Sequence, residues 1–462
     1  MKSTPAPLVV INIVGLTPGL LGEHTPNLNP LVNDGFMATL DGVFPAVTCT
    51  AQTTMLTGRL PSEHGIVANG WYFRDLAEVW LWRQSSHLVQ RERVWDMARR
   101  SLPDFSCAQL FWWYNMYTGV DYSVTPRPIY PADGRKIPAL YSSPDRLQAE
   151  LEAELGKFPM FNFWGPNADI RSSRWIAACA KQVFTAHRPT LQLVYLPHLD
   201  YCLQRLGPND PAIWHEVRAI DTVAGELIDC VRTGGAEVMV VSEYGIEPVT
   251  GHIHINRILR EHGYIAVRET LGWELLDFGA SRAFAMADHQ AAHVYVRDPA
   301  DMTAIVKLLS QIPGIAAVIH GEMKRRWGID HERAGEIVLE ASPGYWFTYY
   351  YWQDDSRAPD FAKTVDIHRK PGYDPVELFL NPGLCCPRLK ISLKLLRKTL
   401  GFRYLMDVIP MDASLVRGTH GRREVSRDHG PLLIATRKKL AGDHYPMQDV
   451  ANIILDHWGL GS

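Results

Sequence analysis

The 462-residue chain has no marked excess of either charge, no cysteine framework and no long apolar run. Lysine and arginine number 47 against 50 aspartate and glutamate, a net charge of −3, so the basic excess normal for a general nucleic-acid binder is missing. Seven cysteines are scattered at positions 49, 107, 179, 202, 230, 385 and 386. Their number is odd and no CxxC pair occurs, which argues against a disulfide scaffold and a zinc ribbon. Cys385 and Cys386 read as packing residues. No stretch reaches the roughly 18 consecutive apolar residues of a membrane-spanning helix. The N-terminal run Leu8–Val14 is short, carries the polar Asn12 and reads as a buried strand rather than a signal peptide. A soluble, cytoplasmic protein is expected. The composition, 46% apolar and 21% charged, is ordinary for globular proteins, and the length is enough for a sizeable core.

The pattern along the chain is one of short apolar runs that stop at polar residues. Leu8–Val14 ends in the turn signal Gly15-Leu-Thr-Pro18. A helix is expected around Asn27–Asp34, a strand over Phe36–Val43, and another helix over the polar run that starts at Thr48 and closes at Gly58. Leu191–Leu196 and Ala236–Val241 are short and apolar but for Gln192 and Glu237, and stop at Pro197-His-Leu-Asp200 and Ser242-Glu-Tyr-Gly245. Helical segments over Arg174–His187 and Ala212–Thr233 alternate with them, the pattern of βαβ units and a parallel sheet. In such sheets the chemistry gathers beyond the carboxyl ends of the strands, where these polar stops lie. Residues 252–385 read differently, as an inserted α+β region with strands at Ala292–Val296 and Gly314–His320 and an aromatic run Tyr345–Trp352. The tail returns to strand (Leu432–Ala435) and helix (Met447–Trp458).

Three segments carry the sharpest signal: Thr25-Pro-Asn-Leu-Asn-Pro-Leu, Phe44-Pro-Ala-Val-Thr48, and Leu56-Thr-Gly-Arg-Leu-Pro-Ser-Glu-His-Gly65-Ile-Val-Ala-Asn69. The chain thereby resembles the alkaline phosphatase superfamily, in its nucleotide pyrophosphatase/type I phosphodiesterase branch. Weaker likeness continues through Asp200, Ser242-Glu-Tyr-Gly245 and Gly418-Thr-His-Gly421. The resemblance implies a doubly wound, mostly parallel α/β core over 1–251 and 386–462, with the α+β cap of 252–385 inserted. It also implies a threonine nucleophile, Thr48, and a site that binds divalent metal. One ion lowers the pKa of a neutral hydroxyl and a second stabilises the leaving oxygen. His64 and Asn69 read as supports for the loop behind Thr48.

Carried over residue by residue, the family's ligand set thins out. The aspartate at the end of its first strand is Val14 here. Its DxxxH becomes Asp200 with Gln204, its Ser-Asp-His-Gly becomes Ser242-Glu243-Tyr244-Gly245, and its last histidine is His420. Asp200 and His420, with Gln204 as a weak neutral oxygen donor, are expected to hold one ion, zinc by ligand chemistry, while Glu243 serves an altered second site. Other candidates are Asn12, which shares the face of Val14, and His198, which is expected to face the cleft if its segment is extended. His252, His254, His289, Arg369 and Lys370 complete the set; the last two suit an anionic substrate group. Two readings result. One is a metal-dependent hydrolase of small phosphodiester or phosphate substrates, with no polymeric nucleic acid and no membrane span. The other is a catalytically degenerate member acting in metabolite binding or pathway assembly.

Overall fold

The computed structural model describes residues 6–132, 136–423, 425–436 and 442–461. At its centre Leu8–Ile13 lies between Leu191–Leu196 and Glu237–Val241, parallel to both. Every residue of Leu8–Ile13 and Leu191–Leu196 is buried, so the sheet is covered on both faces, and this explains why the strands read as near-continuous apolar runs. Beyond Leu191–Leu196 the sheet continues through Cys107–Leu110 and Tyr122–Pro126, both parallel, to an antiparallel edge at Leu140–Ser143. On the other side it runs through antiparallel Leu432–Ala435 and Phe36–Asp41 to His444–Pro446. Helices Ile170–His187 and Ile213–Thr233 pack together as one group; Thr48–Thr57, Asp449–Asp456 and Val94–Ser101 form another. This is the mixed α/β, mostly parallel architecture expected, with element ends shifted by a few residues.

A second hydrophobic core is built on the antiparallel sheet Ala283–Asp288, Ala291–Val296, Ile337–Ala341 and Ile315–His320, in that spatial order. The aromatic run ends its strand early, at Phe347, and Trp346, Tyr349, Tyr350, Tyr351 and Trp352 are all fully buried in this core. They hold the cap together and are not free to stack on a substrate. Cys385 and Cys386 are exposed rather than packed, because helix Pro387–Thr399 after them buries none of its residues.

The family-like motifs fix the ends of these elements. Asp221 accepts hydrogen bonds from the Asn27 backbone and side chain and from the Leu28 backbone, which ties the TPNL turn to the long helix Ile213–Thr233. Gly58 closes helix Thr48–Thr57 at φ 66°, a left-handed conformation that favours glycine. At Gly418 a Cβ would lie 2.2 Å from the Leu203 carbonyl oxygen. Only glycine lets the strand leading to His420 come this close to helix His198–Leu206.

Candidate active site

Thr48 is the first residue of its helix, with Val47 as the cap, so its hydroxyl stands at the helix N-terminus. Asn69 accepts a hydrogen bond from the Cys49 N–H at 3.0 Å and donates to Asp288 at 3.0 Å. His64 contacts Thr54 Oγ1 at 3.1 Å. Both residues brace this helix from behind.

The segment His198–Leu206 is helical, not extended. Asp200 and Gln204, four residues apart, share one face, and His198 and Cys202 share another. Asp200 and Gln204 therefore look towards Thr48. His198 instead meets Glu216 at 2.7 Å and does not reach the cleft. A directed chain of hydrogen bonds follows. Tyr244 has one hydroxyl proton, and it points to Asp200 Oδ1 at 3.3 Å. In the 2.9 Å contact between Tyr244 and Thr48 Oγ1 either hydroxyl can donate; when the Tyr244 proton lies on Asp200, the threonine is the donor. Gln204 Nε2 donates to Asp200 Oδ2 at 2.9 Å and its carbonyl oxygen accepts from the Tyr373 hydroxyl at 3.0 Å.

Glu243 lies two residues beyond strand Glu237–Val241, next to the centre of the sheet. Its Oε1 accepts from Asn12 Nδ2 at 2.6 Å and Gln52 Nε2 at 2.7 Å, and Oε2 has no partner. Asn12 thus holds Glu243 and is not a donor open to the cleft. Burial pushes Glu243 up to about 8, against the amide hydrogen bonds and the nearby Thr48 that lower it. Burial pushes Asp200 up to about 7, partly offset by Gln204 and Tyr244.

His420 stacks flat on Tyr244, ring centroids 3.6 Å apart. Its Nδ1 lies 2.7 Å from the Ala46 carbonyl oxygen, which only accepts, so Nδ1 carries the proton and Nε2 presents a lone pair. Burial lowers His420 to about 3, so the ring is neutral. Nε2 is buried without a hydrogen bond and lies 3.6 Å from Asp200 Oδ1. A lone pair facing a carboxylate calls for a proton or a cation between them.

That orphaned nitrogen tests the metal expectation. Asp200 and His420 suit a single ion with two protein ligands. The two-ion arrangement does not fit. Val14 offers no donor, Gln204 has its oxygen engaged by Tyr373, and the Tyr244 hydroxyl stands between Thr48 and Asp200. Among the described residues, the grouping of three close His, Cys, Asp or Glu ligand atoms is His198, Cys202 and Glu216, away from Thr48.

Other expectations are corrected. Lys370 is buried between Asp374 and Glu377, at 2.7 Å from each, and Arg369 pairs with Asp366; Lys370 is not free for a substrate anion. His254 bonds Thr348 and stacks on Tyr350 within the cap. Two contributors were not evident in the sequence, Gln52 and Tyr373. Gln52 is four residues after Thr48 on one helix face, and that spacing was a usable signal. His289 forms the tip of the two-residue turn between Ala283–Asp288 and Ala291–Val296, at φ 58°, and lies 3.6 Å from His420 and 3.8 Å from Tyr373 by ring centroids.

Thr48, Asp200 and Tyr244 sit at the base of a cavity of about 520 Å³. Its walls are largely apolar and aromatic, with Trp82, Trp113, Trp164, Phe161, Ile391 and Leu395 among them, and Arg127, Lys136 and Lys398 reach it as cations.

A buried hydroxyl on a helix N-terminus, beyond the carboxyl ends of a mostly parallel sheet, lies where folds of this class place their chemistry. The model of the type I phosphodiesterase/nucleotide pyrophosphatase family matches residues 8–374, and the chain belongs to that family of hydrolases. An uncharacterised pyrophosphatase/phosphodiesterase of Schizosaccharomyces pombe is 23% identical over 251 residues, 51% of this chain. The match spans 42% of that curated relative's own length. Among solved structures, murine ectonucleotide pyrophosphatase/phosphodiesterase 5, an inactive variant in complex with AMP, superposes with a TM-score of 0.60 at 14% identity, over 98% of this chain and 95% of that one. Phosphonoacetate hydrolase from Sinorhizobium meliloti, in complex with phosphonoformate, gives a TM-score of 0.62 at 15% identity, over 99% and 96%. At such identities these neighbours show the fold.

Proposed function

We propose that the chain hydrolyses a small phosphodiester or phosphate ester with Thr48 as nucleophile, and that the non-reacting part of the substrate is apolar. The observation that carries this reading is the directed chain from Thr48 through Tyr244 to Asp200. As Thr48 Oγ1 attacks phosphorus, its proton passes to Tyr244 while the Tyr244 proton passes to Asp200. The bond to the leaving oxygen breaks, leaving phosphothreonine, which water then hydrolyses. With no ion bound, Asp200, raised to about 7 by burial, is matched to accept a proton near neutral pH; a cation held beside it would lower that value and make it the weaker base. The positive end of the helix that Thr48 opens favours the phosphoryl anion.

Asp200 and His420 would hold a divalent ion, zinc by donor type. It would supply positive charge against the phosphoryl oxygens and ease ionisation of the threonine. Two protein ligands fall short of the three usual in catalytic zinc sites, so binding is weak and one ion per chain is the ceiling. The phosphorus acids held by the two structural neighbours support this substrate class. The cavity walls favour an apolar group beside the phosphate.

The test is turnover of an aryl phosphodiester, with mass spectrometry of the acid-quenched protein. Thr48→Ala is expected to fall to background and the wild type to carry phosphate on Thr48. Undiminished turnover in Thr48→Ala overturns the reading. The alternative, a degenerate member that binds a metabolite or assembles a pathway, is favoured by one observation: Tyr244 stands at a metal-histidine position and engages Thr48. It predicts ligand binding without turnover in the wild type.

A further inference from the structure

Helix Pro387–Thr399 forms part of the cavity wall and carries three parallel stripes. Ile391, Leu395 and Lys398, spaced four and three residues apart, line the cavity. Lys390, Lys394 and Arg397 form the next stripe, one residue earlier at each step. Leu389, Leu393, Leu396 and the following Leu400 form the third, and they are 60%, 53%, 54% and 64% exposed. Phe402, just past the helix, is 61% exposed. Between Glu377 and Asp407 the chain carries six lysines and arginines, Arg388, Lys390, Lys394, Arg397, Lys398 and Arg403, and no acidic residue. Asp407 pairs with Lys390 and Lys394. Arg388, Arg397 and Arg403 have no carboxylate partner among the described residues.

A single stripe of leucine bordered by cations has a definite counterpart. Exposed leucines at helical spacing seek an apolar phase, and the cations beside them seek anions at its boundary. We propose that this helix docks the protein on an anionic lipid surface. The Leu389–Leu400 stripe enters the acyl boundary, and Arg388, Arg397 and Arg403 meet the headgroups. No helix among the described residues is long and apolar enough to cross a membrane, so the contact is peripheral. The docked face adjoins the cavity through Ile391 and Leu395, so an apolar substrate group can pass from the surface into the cavity above Thr48. This last step rests on the hydrolase reading; the docking does not.

The experiment is co-sedimentation of the full chain with phosphatidylcholine vesicles, with and without phosphatidylglycerol. Binding is expected only with the anionic lipid, and raising the salt should weaken it, since exposed charges are screened. Leu393→Glu/Leu396→Glu and, separately, Arg388→Gln/Arg397→Gln/Arg403→Gln should each reduce partitioning by about tenfold or more. None of these side chains lines the cavity. Unchanged thermal melting shows that the variants fold, and unchanged Thr48-dependent turnover of a soluble ester shows that the chemistry is separate. No binding to anionic vesicles, or binding that both variants leave intact, overturns the proposal. A dimer in light scattering that Leu393→Glu/Leu396→Glu splits, without vesicle binding, overturns it too and assigns the stripe to a second copy of the chain.

Discussion

Replacing Glu243 by glutamine isolates one buried charge. Both amides that reach Glu243 donate to a single oxygen, Asn12 at 2.6 Å and Gln52 at 2.7 Å, and the glutamine carbonyl can accept from both. The other oxygen has no partner to lose. What the substitution removes is the titration. Burial raises the folded-state pKa from 4.5 to about 8, so the folded protein keeps this proton to higher pH than the unfolded chain does. Between those values the folded state binds more protons, and stability falls as pH rises. At about 1.4 kcal/mol per tenfold step in acidity, the cost at full ionisation is on the order of 5 kcal/mol. Glu243→Gln is expected to match the wild type near pH 4.5, to exceed it progressively up to about pH 8, and to hold a constant advantage above that. Urea midpoints in chelator-containing buffer give the difference curve. His64, His293 and His420, each lowered to about 3 by burial, weaken both proteins below about pH 6.5 and cancel from that difference. A difference that is flat or declining from about pH 5 to pH 9 refutes the reasoning.

Tyr244→Phe breaks the proton path from Thr48 to Asp200, so kcat should fall by about 100-fold with little change in KM; equal loss in both removes the relay. Metal analysis should find at most one divalent ion per chain, lost in Asp200→Ala/His420→Ala; two ions would contradict the donor set. Lys370→Met leaves Asp374 and Glu377 buried without their cation and should destabilise by about 3–5 kcal/mol, while Arg369→Ala stays within about 0.5 kcal/mol in the same urea melts.

The fold was legible because the strands carry their own signal. Leu8–Ile13 and Leu191–Leu196 are buried on both faces and therefore apolar at every position but Asn12 and Gln192. Thr48 lies in the ungapped stretch from Phe44 to Asn69, Asp200 and His420 in weaker likenesses, and the fold brings the three side chains together through Tyr244. The errors came from local geometry. His198 and Asp200 were paired as neighbours on an extended segment, yet two residues apart on a helix they diverge, and His198 turns to Glu216. Lys370 looked like a surface cation because its sequence neighbours are charged; the same carboxylates, Asp374 and Glu377, are what bury it.

The hardest residues to see were those that reach the site from the cap. His289 is placed by a two-residue turn between strands whose pairing depends on residues 337–341, and Tyr373 by a turn whose strap is anchored on the buried Lys370. Neither position has a periodicity or spacing relative to Thr48. Yet both complete the contacts that set the site's character: Tyr373 occupies the Gln204 oxygen, and His289 packs on His420. The loss of histidine at positions 204 and 244 is therefore matched by hydrogen bonds in the structure. Gln204 and Tyr244 are paired on both sides, and the acceptor left without a proton beside Asp200 is His420 Nε2. A site decaying without use has no physical reason to satisfy its replaced groups while keeping one lone pair aimed at a carboxylate, and this pattern favours the rebuilt hydrolase over the degenerate member.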